Sequence, residues 1–131
     1  MVNKVILAGR LVQDPTLRML PSGTGVVEFT IAYNRSYKVK DEWRQETSFL
    51  DCKAYGRLAN LIVERLSKGD LVFVEGRLVQ ERWTDKEGKA QSRVRVFVER
   101  AKKITSPAVQ EPVQEENIGL EEADAEPEIR F

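Results

Sequence analysis

An all-β domain with a single helix is the fold class that this sequence predicts for residues 1–105, and two observations carry the prediction. Short runs of β-branched and aromatic residues alternate with turn signals along this part of the chain. Only the segment that begins at Gly56 has the three- and four-residue apolar spacing of an amphipathic helix. Residues 106–131 are acidic, contain three prolines and are predicted to form a disordered tail.

The first two predicted strands are separated by a glycine-rich turn. The first is the run from Lys4 to Val12, and the Asp-Pro pair at 14–15 ends it. Gly9 lies inside this run, which indicates a bend or the close approach of another backbone. A Pro-Ser-Gly-Thr-Gly stretch at 21–25 precedes the second strand, Val26 to Tyr33.

The third predicted strand, Thr47 to Tyr55, has two faces of different character. Side chains alternate with a period of two in a strand, which places small apolar residues on one face, namely Leu50, Cys52 and Ala54. We expect this face to be buried. The opposite face carries aromatic and charged side chains, namely Phe49, Asp51, Lys53 and Tyr55. Between the second and third strands, polar residues 34–46 are predicted to form an exposed hairpin or long loop.

The order of the elements predicts a particular barrel. The helix follows the third strand, with an apolar stripe at Leu58, Leu61, Ile62 and Leu66. A fourth strand, Leu71 to Trp83, and a fifth, ending near Ile104, are joined by a turn at 85–88. Five strands with a helix between the third and fourth are the arrangement of an OB-fold, a Greek-key barrel that binds oligonucleotides or oligosaccharides. An SH3-like barrel is the nearest alternative, but it normally lacks this helix.

The charges of the chain are separated along its length. In total, 21 basic and 21 acidic side chains give a formal net charge of zero. Residues 1–104 hold 20 basic and 13 acidic side chains, a net of +7, and residues 105–131 hold one basic and eight acidic, a net of −7. The basic body indicates a polyanionic partner, and the acidic tail indicates a separate role.

The composition excludes several kinds of chemistry. There is no histidine, so Ser-His and Cys-His nucleophiles and imidazole ligands are absent. A single cysteine, Cys52, permits neither an intramolecular disulfide nor a multi-cysteine metal site. Without a carboxylate cluster or a glycine-rich phosphate loop, we predict no catalytic residue, no metal and no cofactor. No signal peptide and no long apolar run is recognisable, which predicts a cytoplasmic protein without a membrane segment.

Aromatic and basic residues are interleaved in a way that suggests nucleic-acid binding. Five aromatic residues have a basic residue close by in the sequence: Tyr37, Trp43, Phe49, Tyr55 and Trp83. The basic residues are Lys38, Arg44, Lys53, Arg57 and Arg82. Rings that stack on bases, beside cations that neutralise phosphates, are how proteins bind single strands without sequence preference.

The alternative is that these aromatic rings fill the barrel core. Strand alternation opposes this alternative for Phe49 and Tyr55, because the face across from them is plainly apolar. For Trp83, at the end of a strand, the pattern leaves both possibilities open. Three further aromatic residues are flanked by apolar residues within strands and are expected to lie in the core, namely Phe29, Tyr33 and Phe73.

Several separate motifs also occur in one order over residues 1–104. They are Asn3-Lys4-Val5-Ile6-Leu7 with Gly9 and Asp14-Pro15, Tyr55-Gly56-Arg57-Leu58-Ala59, Lys68-Gly69, and Val74-Glu75-Gly76-Arg77-Leu78 followed by Arg82-Trp83-Thr84-Asp85. In this combination the chain resembles the bacterial single-stranded DNA-binding protein family. The resemblance implies an OB-fold subunit, normally a homotetramer, that coats single-stranded DNA during replication, recombination and repair.

The resemblance also implies roles for individual residues. The base-stacking aromatic residues of the family fall on Tyr37, Phe49, Tyr55 and Trp83. Its phosphate-contacting basic residues fall on Arg18, Arg57, Lys68 and Arg82. One position that is often basic in the family is Asp51 here, so we expect that contact to be absent.

The acidic tail of this family ends in aspartates followed by Pro-Phe and recruits enzymes of DNA metabolism. Here the chain ends Glu126-Pro127-Glu128-Ile129-Arg130-Phe131, so the acidic run and the final phenylalanine agree, and arginine stands in place of proline. Replication and repair proteins are therefore expected to bind the tail through Phe131, Ile129 and Glu128.

Three other functions are compatible with parts of the sequence. An RNA-binding or ribosome-associated OB module would share the aromatic and basic residues, but the acidic tail argues against it. An accessory subunit that acts mainly through protein contacts would not need the tail. A nuclease would need a carboxylate cluster that the sequence lacks.

Overall fold

The structure, a computed structural model, describes residues 1–105 in two compact units. The first comprises residues 1–33 and 48–104, and the second includes the hairpin of residues 34–47. The predicted tail, with Glu128, Ile129 and Phe131, lies outside the described residues.

The elements follow one another as six strands and a helix. The strands are β1 Val5–Leu11, β2 Thr16–Met19, β3 Gly25–Val39, β4 Glu42–Tyr55, β5 Leu71–Thr84 and β6 Ala90–Lys103. The helix, α1, spans Gly56–Arg65 between β4 and β5. The short strand β2, which pairs with β3, was not predicted; its four exposed residues lack the apolar alternation that identifies a strand.

Five of the strands close into the predicted OB-fold barrel. The sheet order is β1-β5-β6-β4-β3-β2, and β1 also pairs with β3, through Arg10 opposite Ala32 and Leu11 opposite Ile31. Strands β4 and β6 run parallel where Cys52 lies opposite Val96. A Cβ atom at Gly9 would overlap Ile31 and the backbone of Ala32, which explains the glycine within β1. The helix lies between the third and fourth barrel strands, as the sequence predicts.

The barrel is filled by small and branched apolar side chains. The fully buried residues include Leu11, Val26, Val27, Ile31, Val72, Val74 and Val96. Phe29 is buried as expected, but the assignment of Tyr33 and Phe73 to the core was wrong, since both are only half-buried. Phe73 alternates along β5 with the buried Val72 and Val74, so its ring must face outward.

The helix packs through the predicted stripe. Ala59, Ile62 and Leu66 are buried, and Leu58 packs against the same core. Gly56 adopts a positive φ of 67° at the strand-to-helix junction, a conformation that favours glycine. No helix among residues 1–105 has the length and apolar character needed to cross a membrane.

The second unit contains the predicted hairpin. Residues 34–39 of β3 and 42–47 of β4 are joined by a two-residue turn, in which Lys40 and Asp41 both have positive φ. Two side-chain hydrogen bonds link its strands: the Thr47 hydroxyl donates one of 2.7 Å to Asn34, and the Arg35 Nε donates one of 3.4 Å to Glu46.

Candidate nucleic-acid interface

The outer face of β4 carries the aromatic residues that strand alternation assigned to it. Phe49 is 65% exposed and Tyr55 is 40% exposed. The intervening Cys52 and Ala54 are buried in the core, so the predicted division of this strand is confirmed. Tyr55 lies against Phe97 of β6, with 5.6 Å between the ring centroids.

Trp83 lies on the same outer surface because of the register between β5 and β6. In this ladder Trp83 is opposite Gln91, and Glu81 is opposite Arg93. The indole is 44% exposed, which decides between the two possibilities that its position in the sequence left open. The guanidinium carbon of Arg93 lies 5.4 Å from the centroid of the Trp83 ring.

The β5–β6 turn, which precedes Arg93 in the chain, is held in place by Asp85. Its Oδ1 atom accepts hydrogen bonds from the backbone N–H groups of Glu87 and Lys89, at 3.0 and 2.8 Å. These backbone donors, with the side chain of Gln91, lower the pKa of Asp85. The turn is closed by Gly88, whose φ is +81°. Asp85 therefore helps to fix the register that places Arg93 beside Trp83.

A network of six charged side chains lies on this surface, and we call it the Glu81 cluster. Its members are Arg18, Glu28, Lys53, Glu81, Arg93 and Arg95. Arg95 is 5% exposed and donates a hydrogen bond of 2.6 Å from Nη1 to Glu28. Its Nε atom lies 3.1 Å from a carboxylate oxygen of Glu81. Two carboxylates thus lie within ion-pair distance of a buried guanidinium group and compensate its charge.

Two titrating groups near the cluster have shifted pKa values. The hydrogen bond from Arg95 lowers the pKa of Glu28, although partial burial acts in the opposite direction. Burial, with a smaller contribution from Asp51, raises the pKa of the Cys52 thiol to about 12. Since Cys52 is also in the core, it behaves as the small buried residue that the sequence predicts.

The other predicted phosphate-contacting residues lie at different places on the first unit. Arg57 is exposed in the first turn of α1, and Lys68 is exposed in the turn that follows the helix. Lys68 donates its backbone N–H to Asp14, with 2.8 Å between the atoms. Arg82 lies next to Trp83 in the sequence but faces the other side of β5, where it donates a hydrogen bond to Gln80.

The hairpin unit holds the remaining two aromatic residues of the predicted site. Trp43 is strongly exposed, and the Lys38 ammonium group lies 5.9 Å from the centroid of its ring. Tyr37 is half-buried beneath Arg35, with 4.8 Å from the guanidinium carbon to the ring centroid. Both rings of residues 34–47 therefore have a cation over one face.

Sequence reasoning missed the basic residues of β6. Arg93 and Arg95 were not among the predicted site residues, because they lie about ten residues from Trp83 in the sequence. The signal that could have identified them is the two-strand register set by the turn at 85–88, which places Arg93 opposite Glu81. No group of three His, Cys, Asp or Glu side chains arranged to hold a metal ion occurs within residues 1–105.

Comparison with known proteins identifies the family of the chain. Residues 2–104 match the model of the Single-strand binding protein family. The chain belongs to this family. One relative is the Single-stranded DNA-binding protein of Aquifex aeolicus. It is 47% identical to this chain over an alignment of 148 residues, which covers 100% of this chain and 100% of the relative. That of Wolinella succinogenes is 41% identical over 107 residues, covering 81% of this chain and 66% of the relative. The protein of the same name from Helicobacter pylori is 42% identical over 94 residues, covering 71% of this chain and 52% of the relative.

Proposed function

We propose that this family member binds single-stranded DNA without sequence preference and coats it during replication, recombination and repair. The observation that carries the proposal is the outer surface of β4, β5 and β6, where Phe49, Tyr55 and Trp83 are exposed beside Lys53 and Arg93. Stacking on such rings is sequence-tolerant because every base has a π-face. The names of the relatives support the same function. Its place of action would be the nucleoid in the cytoplasm, where DNA is unwound.

Phosphate binding is proposed for the basic residues that the family resemblance identified. Within residues 1–105, no ion pair joins Arg57, Lys68 or Arg82 to a carboxylate, so their charges are available to an incoming phosphate. Arg18 differs from these three because it lies 3.6 Å from Glu28 in the Glu81 cluster. The hairpin unit is proposed to add two further stacking residues, Tyr37 and Trp43.

We further propose that the chain assembles into a homotetramer. Strand β1 pairs with β5 along Val5–Arg10, and its pairing with β3 is confined to Arg10 and Leu11. Within the described residues this leaves one edge of β1 open from Val5 to Ala8, next to an Ile6 side chain that is 65% exposed. An open strand edge beside an apolar side chain favours pairing with a second copy.

The acidic segment is proposed to have its own function. We divide the chain into a DNA-binding domain, residues 1–105, and a partner-binding segment, residues 106–131. Eight acidic side chains and the apolar residues Ile129 and Phe131 support binding to a pocket edged by Arg or Lys on a replication or repair protein.

The experiment that tests the DNA-binding function is a titration of tryptophan fluorescence. The full chain is titrated with oligo-dT and with RNA of matched length at roughly 50 and 200 mM salt. We expect binding to oligo-dT that quenches the emission and weakens at the higher salt concentration. Tighter binding to the RNA would favour the RNA-binding module instead. Binding to neither strand would overturn the proposal and favour an accessory subunit that acts through protein contacts.

A further inference from the structure

The carboxylate group of Glu81 lies close to three cations, whereas a simple ion pair has one. One of its carboxylate oxygens lies 3.1 Å from the Lys53 ammonium group. The other lies 3.1 Å from Nε of Arg95 and 3.6 Å from Nε of Arg93. A single negative charge on β5 therefore positions cations from β4 and β6.

Two of these cations also lie over the rings that are proposed to stack on bases. The Lys53 ammonium group is 5.6 Å from the centroid of Tyr55, and the guanidinium group of Arg93 is 5.4 Å from that of Trp83. Arg95 differs because it is buried and is held by a second carboxylate, Glu28. Lys53 and Arg93, whose side chains are 12% and 48% exposed, have no second carboxylate within residues 1–105, and their other partners are aromatic faces.

We propose that Glu81 is a positioning residue that keeps Lys53 and Arg93 on the faces of Tyr55 and Trp83 until DNA binds. This inference rests on the proposed DNA-binding function. On binding, a base displaces each cation from its ring, and the cation moves from Glu81 to a phosphate. Glu81 keeps Arg95 but loses these two partners, and it takes up a cation from the solution. Because the contacts of Glu81 with Lys53 and Arg93 must break first, the affinity for DNA is reduced.

A consequence of this exchange is a weaker salt dependence than the number of neutralised phosphates implies. Each phosphate neutralised on a single strand releases condensed cations and contributes about −0.7 to the slope of log K against log salt. The cation taken up by Glu81 cancels about one such contribution. Replacing the Glu81 carboxylate with an uncharged group of the same shape should therefore restore the full slope.

The test compares Glu81→Gln with Glu64→Gln, in full-length protein. Glu64 lies on the exposed side of α1, so its variant has the same net charge without changing the cluster. Binding of a fluorescently labelled oligo-dT is followed by anisotropy over a range of salt concentrations. For Glu81→Gln we expect a slope steeper by about 0.7 and an affinity about two- to fivefold higher at low salt, equivalent to one partly exposed ion pair. Glu64→Gln should match the wild type in slope.

A double-mutant cycle tests whether the effect of Glu81 on the slope depends on Lys53 and Arg93. Lys53→Gln should make the slope shallower by a larger amount in the Glu81→Gln background than in the wild type, and Arg93→Gln should behave in the same way. Arg93 is half-exposed, so its variant remains informative if Glu81→Gln proves too unstable to study. Additive slopes in both cycles, or equal slopes for Glu81→Gln and Glu64→Gln, would overturn the inference. Failure of the wild type to bind oligo-dT would instead overturn the proposed function.

Discussion

The guanidinium group of Arg93 lies 5.4 Å from the centre of the Trp83 indole, across the ladder between β5 and β6. Arg82 precedes Trp83 in the chain, yet its side chain lies on the opposite face of β5. The basic residue that accompanies this ring is thus determined by strand register and not by proximity in the sequence. Because Arg93 and Trp83 share a face, a stacked base and its phosphate would meet both groups together.

Replacing either exposed ring should weaken DNA binding without unfolding the barrel. For Trp83→Ala and Phe49→Ala we expect a loss of about 1–3 kcal/mol of binding free energy to oligo-dT for each base that no longer stacks. Both rings are exposed and lie outside the core, so the melting temperature should change little. Anisotropy of labelled oligo-dT and thermal melting measure the two effects separately.

The control for the Trp83 and Phe49 variants is an aromatic residue that lies in the core. Phe29→Ala removes a core side chain that is 2% exposed and should reduce the free energy of unfolding by about 3–5 kcal/mol. If Trp83→Ala bound DNA normally but melted at a much lower temperature, as Phe29→Ala should, its ring would serve the core.

Cations that form no ion pair within residues 1–105 should contribute directly to the salt dependence. Arg57→Gln and Arg82→Gln should each make the slope of log K against log salt shallower, by about 0.7 for each phosphate that is no longer neutralised. Arg65→Gln, at the exposed end of α1, removes the same charge outside the proposed site and serves as the control. An unchanged slope for Arg82→Gln would mean that the DNA passes only over the face of β5 that carries Trp83.

Strand alternation, used on the sequence alone, correctly placed Phe49 and Tyr55 outside the barrel. It succeeded there because the small residues between them leave no doubt about which face is buried. Phe73 was assigned to the core from its apolar neighbours and not from alternation, and that assignment was wrong, because those neighbours are buried while its own ring faces outward. The sequence did not assign Arg93 to the site, because contacts between strands depend on their register. It also did not predict β2, because the four residues of that strand are all exposed and show no apolar alternation.

The open edge of β1 leads to a prediction about assembly. Ile6→Lys places a charge on an exposed apolar position next to that edge and should shift the protein from the proposed tetramer towards smaller species. Sedimentation velocity at several protein concentrations measures the change. Leu17→Lys, an exposed apolar position on β2, is the matched control and should stay assembled. Equal sedimentation of Ile6→Lys and the wild type would place the subunit interface elsewhere.

The lowered pKa of Glu28 makes the barrel sensitive to acid. A carboxylate whose pKa is lower in the folded state than its ordinary value of 4.5 stabilises the fold above that pH. The contribution is lost as the pH falls through the folded-state value, because the proton displaces the charge that Arg95 requires. Thermal melting from about pH 3.5 to pH 7 should therefore show a flatter acid limb for Glu28→Gln, together with a lower melting temperature at pH 7. A parallel shift at every pH would contradict the pairing with Arg95.

The acidic segment should compete with DNA for the basic domain. Residues 105–131 carry eight acidic side chains and one basic, attached to a domain with a net charge of +7. Truncation after Ile104 should therefore tighten binding to oligo-dT at low salt, where charges interact over tens of ångströms, and have little effect at high salt. Anisotropy titrations of the full and truncated chains measure the difference. An equal change at both salt concentrations would point to a cause other than charge.

Partner binding should depend on the last aromatic residue and not on the charges alone. An apolar ring at the end of an acidic run fits a pocket edged by Arg or Lys, and Phe131 is the only aromatic residue after Phe97. Phe131→Ala keeps every charge, so DNA affinity should stay at the wild-type value while capture of replication and repair proteins from a bacterial lysate is abolished. Arg130→Pro should capture at least as much as the wild type, because proline stands there in the family. Equal capture by Phe131→Ala and the wild type would leave the segment with only its electrostatic effect on DNA binding.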